Sequence, residues 1–169
     1  MTLGSAAIHH IAILVKDLDK AMTKWEELLG LEKVMPCYLP LADQVPQYTN
    51  GEMGEYADCR MAVYDLANIR LELVEPGEKA GPWRDYMEKH GEGCQHLSFV
   101  VPDRRAASEA LRAIGVSPAY HIGYYPDSTY SFYDSTAQLG VEVNIKTNED
   151  NTGKILELRE DASLHQLDL

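Results

Sequence analysis

Two histidines recur at equivalent positions of an internal repeat, and their surroundings point to metal chemistry. His10 and His96, 86 residues apart, each begin the pattern His-apolar-x-apolar-x-Val-x-Asp. Starting from His9 instead would put the aspartates out of register. Glu72 alternates with leucines and faces away from them, and a carboxylate on the inner side of a sheet needs a partner or a metal. Two imidazoles and a carboxylate suit a divalent ion such as Zn, Co, Ni, Mn or Fe(II).

The repeated pattern also predicts the elements that carry these residues. Each half begins with a strand that contains the histidine, and the aspartate that follows, Asp17 or Asp103, is placed to cap a helix. Gly30 and Gly115 end the two helical patterns. Three more strands are expected in each half, at 33–39 (the weakest), 59–66 and 69–76 in the first and at 119–125, 129–135 and 141–147 in the second.

The segments between and after the repeats are less regular. Residues 41–57 are polar and rich in turn formers, which predicts a long loop, and loops of that length are often functional lids. Residues 78–93 are expected to hold a short linking helix with Pro82 in its first turn. The acidic tail, 148–169, is compatible with strand, helix or disorder.

The composition is that of an ordinary globular protein with an acidic balance. Its 169 residues predict one α+β domain, 1–169, built of two βαβββ modules at about 8–76 and 94–147. The formal charge of −12 argues against a nucleic-acid partner. The three cysteines form no disulfide pattern, no apolar run is long enough to cross a membrane, and the first residues lack signal-peptide features. We therefore expect a cytoplasmic protein with no membrane partner.

Taken together, the motifs resemble the vicinal oxygen chelate (glyoxalase, bleomycin resistance and dioxygenase) superfamily, and within it the methylmalonyl-CoA epimerase-like branch. The resemblance rests on HIAILVKDLDKAM, LELVEP, YMEKHGEGCQHLSFVV and YDSTAQLGVEV. It implies that the modules pair into a U-shaped, partly open sheet or barrel whose concave face holds a divalent metal, in a protein that is commonly a homodimer. It also implies four ligand positions: a histidine from the first strand of each module and an acidic or amide residue from each last strand.

Three of the four ligand positions hold the residues that the resemblance implies: His10, Glu72 and His96. The fourth holds Asn144, where the family usually has a metal-binding glutamate. Either Asn144 binds weakly through its carbonyl oxygen, or it only lines the pocket. Alternatively Glu142, two residues earlier and on the same face, takes the position after a register shift. Because asparagine cannot act as a carboxylate base, the resemblance to the epimerase is incomplete here.

The resemblance also points to acid–base and substrate-pocket residues. Glu55 lies one residue from the position of the epimerase's other acid/base glutamate, which Tyr56 occupies here; the alternative is a solvated loop carboxylate. Two-residue periodicity places Tyr120 and Tyr124 on one strand face, where they either pack or line a pocket. For His121 the alternatives are pocket lining and surface exposure. An open sheet lined with tyrosine would suit a flat aromatic or ketonic ligand.

The function these residues favour is that of a metal-dependent isomerase. It would be an epimerase or racemase that moves a proton on the carbon next to a carbonyl through an enolate, with a small-molecule carbonyl substrate. Glu55, or a residue near it, would take the proton, and a second group or water would return it on the other face. Asn144 would hydrogen-bond the enolate oxygen in place of a carboxylate. The substrate would be a methylmalonyl-CoA-like thioester or an aromatic ketone such as an isoflavanone. The alternatives are a glyoxalase I-type lyase, an Fe(II) dioxygenase, and a non-enzymatic small-molecule-binding protein of the bleomycin-resistance kind.

Overall fold

In the computed structural model, which describes residues 2–161, ten strands form one continuous sheet, accompanied by helices. In chain order the elements are β1 (His10–Leu14), α1 (Leu18–Leu29), β2 (Cys37–Tyr38), β3 (Gln47–Thr49), β4 (Glu52–Met53), β5 (Arg60–Asp65), β6 (Arg70–Glu75), α2 (Pro82–His90), β7 (Gly93–Val100), α3 (Arg104–Ala113), β8 (His121–Tyr125), β9 (Ser128–Tyr133), α4 (Thr136–Leu139), β10 (Glu142–Asn148) and α5 (Thr152–Glu160).

The strand order joins the two modules at the middle of the sheet. It runs β2-β5-β6-β1-β7-β10-β9-β8-β3-β4. The histidine-bearing strands β1 and β7 pair antiparallel, and each has the last strand of its own module, β6 or β10, parallel to it on its other side. The sheet curls into a half-barrel, so the predicted α+β fold of paired βαβββ modules is confirmed. All four predicted ligand positions consequently lie on four adjacent strands.

The two aspartates that end the repeat begin their helices as expected. The carboxylate of Asp17 accepts a hydrogen bond from the Lys20 backbone N–H at 2.9 Å, and that of Asp103 accepts one from the Ala106 N–H at 3.0 Å. Each bond satisfies one of the N–H groups that a helix start leaves without an intrahelical partner. Gly30 ends α1 in the left-handed conformation, with φ of 66°, which glycine adopts without a Cβ clash.

Side-chain alternation divides each strand between two environments. In β6, Leu71 and Leu73 pack beneath α1 on the convex face, where burying a leucine stabilises the fold by about 2 kcal/mol. Glu72 and Val74 point to the concave face. On the second module α3 packs in the same way on β10 through Val143. Helices α1 and α3 therefore cover the convex face and leave the concave face to form a site.

The segment 41–57, which the sequence predicts as a loop, also contains two strands. Gln47–Thr49 pairs with β8 of the second module and Glu52–Met53 turns back on it. Asn50 takes a positive φ of 52° in the turn between them. The loop prediction was wrong there because these strands are two and three residues long and show no alternation. Gln47–Thr49 forms through hydrogen bonds to the edge of β8, which would otherwise be unpaired, and Glu52–Met53 pairs with Gln47–Thr49 in turn.

The tail forms a helix over part of its length. α5 packs through Ile155 and Leu158 against Tyr48, Ile122 and Tyr124 on the convex side of β3 and β8. Residues 162–169 of the predicted tail lie outside the described part of the chain. Within residues 2–161 no helix has the length and apolar character needed to span a membrane.

Candidate active site

The two repeat-equivalent histidines meet on the concave face of the sheet. His10 and His96 are buried, and their Nε2 atoms lie 3.0 Å apart. Burial lowers the pKa of His10 to about 2, with a contribution from His96, and burial lowers that of His96 to about 3. Both imidazoles are therefore neutral near pH 7. Neutral imidazole nitrogens are the form that binds a metal ion.

Glu72 completes a group of three possible ligands. Its carboxylate Oε1 lies 3.5 Å from His10 Nδ1, and one ligand atom from each of Glu72, His10 and His96 falls within 4.8 Å of the others. Burial raises the pKa of Glu72 to about 7, against the opposing effect of Lys146 and Arg70. The mostly buried carboxyl of Glu72 has few polar protein groups to stabilise its charge. A divalent cation would stabilise the carboxylate and would bind the lone pairs of the two imidazoles. The three residues thus fit such an ion.

A directional chain of hydrogen bonds orients the histidine rings. Gln95 Oε1 lies 3.3 Å from His96 Nδ1 and can only accept, so His96 Nδ1 carries the proton and Nε2 carries the lone pair. His10 Nε2–H then donates to His96, and His9 Nδ1, 2.9 Å from His10 Nδ1, donates to His10. The amide of Gln95 is itself anchored, because its Nε2 donates to Pro82 O at 3.0 Å. His9 therefore supports the site from outside. Hydrogen bonds of this kind typically fix the orientation of metal-binding side chains.

The fourth predicted position holds a side chain that is already engaged. Asn144 is buried and lines the cavity, but its Oδ1 accepts a hydrogen bond from Ser98 Oγ at 2.6 Å and its Nδ2 donates to Ser131 O at 3.2 Å. The amide nitrogen has two hydrogens, so one donor remains after the bond to Ser131. Asn144 is placed to donate a hydrogen bond into the cavity, and it lies outside the group of three possible ligands.

Glu142 shares a strand face with Asn144 but lies at a different cleft. Its Oε2 accepts a hydrogen bond from Tyr120 OH at 2.7 Å, and both residues line a separate cleft with Lys89 and Asp134. Burial raises the pKa of Glu142 to about 7, although the bond from Tyr120 opposes the shift. The register shift that would make Glu142 a ligand is absent, since Glu142 pairs with His96 and Asn144 with Ser98 in β10 and β7.

Glu55 is placed away from the histidines. Its carboxylate accepts hydrogen bonds from the backbone N–H groups of Ala42 and Ala57, both at 3.0 Å, and so holds its own loop together. It does not line the cavity that contains His10. Tyr56 is buried, its hydroxyl bonds to Thr49 Oγ1, and its ring packs edge-on against Trp83.

The concave face encloses a cavity of about 130 Å³ with the histidine pair in its wall. Aromatic rings make up much of the remainder, and one lysine lies among them. The residues that the sequence interpretation missed are Leu39, Met61, Val74, Trp83, Tyr125, Tyr130, Phe132 and Lys146. Strand alternation could have identified Lys146, because it follows Asn144 by two residues on one face. Nothing local in the sequence marks Trp83, which reaches the cavity from the start of α2.

The predicted tyrosine pocket needs a correction. Tyr124 is fully buried on the convex face beneath α5, and Tyr125 lines the cavity in its place. Tyr120 precedes β8 and packs against the concave core, so it does not share a face with Tyr124. The prediction extended strand alternation back to a residue outside the strand. It also could not anticipate the helix that covers Tyr124.

His121 lies directly behind the cavity wall. Its Nδ1 is 2.8 Å from Thr49 Oγ1 and its Nε2 is 3.1 Å from Tyr130 OH. Its ring stacks on Phe132 with centroids 5.2 Å apart. Burial lowers the pKa of His121 to about 3, so the ring is neutral. Tyr130 OH in turn donates to Gln47 Oε1 at 2.7 Å, which makes this part of the wall a rigid hydrogen-bonded unit.

Comparisons with known proteins all point to one superfamily and to epimerases that resemble this chain. The profile of the family described as Glyoxalase/Bleomycin resistance protein/Dioxygenase superfamily matches residues 9–133. A 2-epi-5-epi-valiolone epimerase from Actinomyces sp is 32% identical over 114 residues, 65% of this chain and 60% of that protein. An ethylmalonyl-CoA/methylmalonyl-CoA epimerase from Cereibacter sphaeroides is 26% identical over 109 residues, 64% of this chain and 70% of that protein. The crystal structure of methylmalonyl-CoA epimerase from Mycobacterium tuberculosis shares the fold, with a TM-score of 0.59 at 21% identity, covering 91% of this chain and 95% of that one.

Proposed function

This chain belongs to the Glyoxalase/Bleomycin resistance protein/Dioxygenase superfamily, and we propose that it is a metal-dependent epimerase or racemase acting on the carbon next to a carbonyl group. The observation that carries the proposal is the convergence of His10, Glu72 and His96 in the wall of an aromatic cavity. Two relatives that are named as epimerases support the reaction class.

The three residues would hold a divalent ion of the Co, Zn, Mn, Ni or Fe type. When bound, such an ion supplies a Lewis acid that stabilises negative charge on the substrate's carbonyl oxygen in the enolate. The chain holds the two neutral imidazoles in place before any substrate arrives, because His9 donates a hydrogen bond to His10 and Gln95 accepts one from His96. The ion would replace the hydrogen bond between the two Nε2 atoms, and these outer contacts would keep the rings oriented.

The remaining cavity residues bind the substrate and move its proton. The rings of Trp83, Tyr130 and Phe132 bind its apolar part and exclude water. The free N–H of Asn144 donates a hydrogen bond to the oxygen that becomes negative. Glu72 carries the one carboxyl group among the cavity-lining residues of the described chain, so we assign the removal of the α-proton to it. A second group or a water molecule would return a proton on the opposite face of the enolate.

Small carbonyl compounds are the substrate class that the cavity favours. Its volume of about 130 Å³ accommodates the reacting part of a molecule, and its walls are aromatic. Both features favour a flat ketone over a long polar thioester. The named substrates of the relatives, a valiolone and an acyl-CoA, belong to the same α-acidic carbonyl chemistry.

The test is α-proton exchange in D₂O with metal-loaded protein and a panel of α-acidic ketones and thioesters. We expect exchange with wild type and a loss of at least 100-fold for Glu72→Gln, since general bases typically contribute that much. Glu55→Gln is the matched control and should exchange at the wild-type rate. Elemental analysis of each variant separates loss of metal from loss of the base. Wild-type protein that exchanges no member of the panel would refute the proposal.

The alternatives give different signals in the same samples. An Fe(II) dioxygenase would consume oxygen, and a glyoxalase I-type lyase would form a thioester from a hemithioacetal. A binding protein would retain its ligand affinity in a His96→Gln variant. We also propose a homodimer, on the family resemblance, which light scattering measures directly.

A further inference from the structure

Lys146 brings a positive charge into an otherwise aromatic cavity. It lies on β10 two residues beyond Asn144, and its neighbour across the ladder to β9 is Tyr130. Both neighbours line the same cavity, together with Glu72. Of the cavity-lining residues in the described part of the chain, Lys146 is the one with a permanent positive charge at neutral pH.

The ammonium group of Lys146 has no partner among the described residues. Among residues 2–161 it forms no hydrogen bond and no ion pair, and Glu72 lies beyond ion-pair distance. Its positive charge nevertheless acts on the site electrostatically, because it contributes to lowering the pKa values of His9 and His10 and opposes the rise in that of Glu72. A half-buried lysine normally finds a carboxylate or extends into water. This one is held over a cavity, in a chain whose formal charge is −12.

The strand order fixes where a ligand of Lys146 would lie. Glu72 on β6 and Lys146 on β10 flank the two histidine-bearing strands from opposite sides. A molecule that contacts the histidine pair in the middle of the cavity therefore has its one end directed to Glu72 and its other end directed to Lys146. A group at that second end would be recognised by a cation and by the adjoining ring of Tyr130.

We propose that Lys146 is an anion subsite, and that the substrate is a small carbonyl compound carrying a carboxylate on the side away from Glu72. This inference rests on the proposed function, since it takes the same cavity as the substrate site. Lysine is a compact cation with three rotatable donors, which suits a single carboxylate. The anion would give the ammonium group the partner that the described residues do not provide.

The test compares two probes that differ by one charge, phenylpyruvate and its neutral methyl ester, by titration calorimetry at pH 7.5. EDTA-treated protein is used alongside zinc-loaded protein, so that a contact between the carboxylate and the metal is separated from one with Lys146. We expect Lys146→Met to weaken binding of phenylpyruvate about tenfold, at the lower end for a charge-assisted hydrogen bond because the site is half-exposed. The affinity for the methyl ester should change less than about twofold, because the ester carries no charge for Lys146 to bind.

Two further variants control the measurement. Lys146→Arg keeps the charge and should keep most of the affinity for phenylpyruvate. Lys20→Met removes an exposed lysine of α1 and should change neither probe's binding. Equal effects of Lys146→Met on both probes, no effect on phenylpyruvate, or no binding of phenylpyruvate to wild type would each overturn the proposal. Charge-dependent binding without α-proton exchange would instead overturn the proposed function while leaving this subsite in place.

Discussion

A glycine in β8 shapes the aromatic wall of the cavity, and replacing it tests the packing there. Gly123 lies across the ladder from Tyr130, whose ring covers it. A Cβ atom at position 123 would lie 2.2 Å from Tyr130 Cε1 and 2.7 Å from its hydroxyl oxygen. Such distances are far inside van der Waals contact, so the ring must move in a Gly123→Ala variant.

The cost of that movement follows from what the ring does. Tyr130 would lose its bond to Gln47 at 2.7 Å and its contact with His121 at 3.1 Å, each worth about 1 kcal/mol. Overpacking adds about 1–3 kcal/mol. The free energy of unfolding should therefore fall by about 3–5 kcal/mol, or roughly 6–20 °C in Tm for a domain of this size.

Urea denaturation followed by circular dichroism measures this change. Tyr130→Phe keeps the ring and loses only the hydroxyl, so we expect about 2 kcal/mol for that control. In a Tyr130→Ala background the clash is gone, and Gly123→Ala should be neutral or slightly stabilising, because alanine is less flexible than glycine when unfolded. If Gly123→Ala has the same effect in both backgrounds, the steric reasoning is wrong.

Three other predictions concern buried charges and helix caps. Because the folded-state pKa of Glu142 is about 7, against 4.5 unfolded, its carboxyl should lower stability by about 3 kcal/mol as the pH rises from 4.5 to 7. Glu142→Gln should remove this part of the decline in urea unfolding at pH 5 and 8, while the part due to Glu72, whose pKa is also about 7, should remain. The folded-state pKa of His121 is about 3, so its contribution is complete above pH 6.5 and is lost as the pH falls toward 3. His121→Gln should make the acid limb of EDTA-treated protein less steep, and the part due to His10 and His96, whose pKa values are also lowered, should remain. Exposed His90→Gln is the matched control. Asp103→Ala should lower the free energy of unfolding by about 1 kcal/mol and Asp103→Asn by much less, with Asp17 behaving alike in the same assay.

Local patterns were sufficient for the parts of the site that lie on the repeat. The pattern that begins at His10 and His96 predicted two strands and the helices capped by Asp17 and Asp103, and the structure contains them. Alternation in β6 placed Glu72 opposite its leucine neighbours, on the face where the structure has it. These features depend on intervals of two to seven residues, over which backbone geometry dictates the direction of a side chain.

Other residues were decided by contacts between distant segments. Glu55 faces two backbone N–H groups because of how its own loop closes, and Trp83 enters the cavity because α2 packs on β7. The short strand Gln47–Thr49 exists only where β8 offers an edge. Local sequence patterns do not indicate which distant loop or strand edge a polar group will contact.

By itself the sequence determined the α+β class, the two similar modules and the two repeat-equivalent histidines, which follow from periodicity and from the repeat. The pairing of the modules into one sheet and the place of Glu72 among the ligands were implied by the family resemblance. Only the tertiary structure decided that Tyr125 faces the cavity while α5 buries Tyr124, that Asn144 is held by Ser98, and that Lys146 stays unpaired among the described residues. The physical reason is that a strand's alternation fixes two faces but not which one another element will cover.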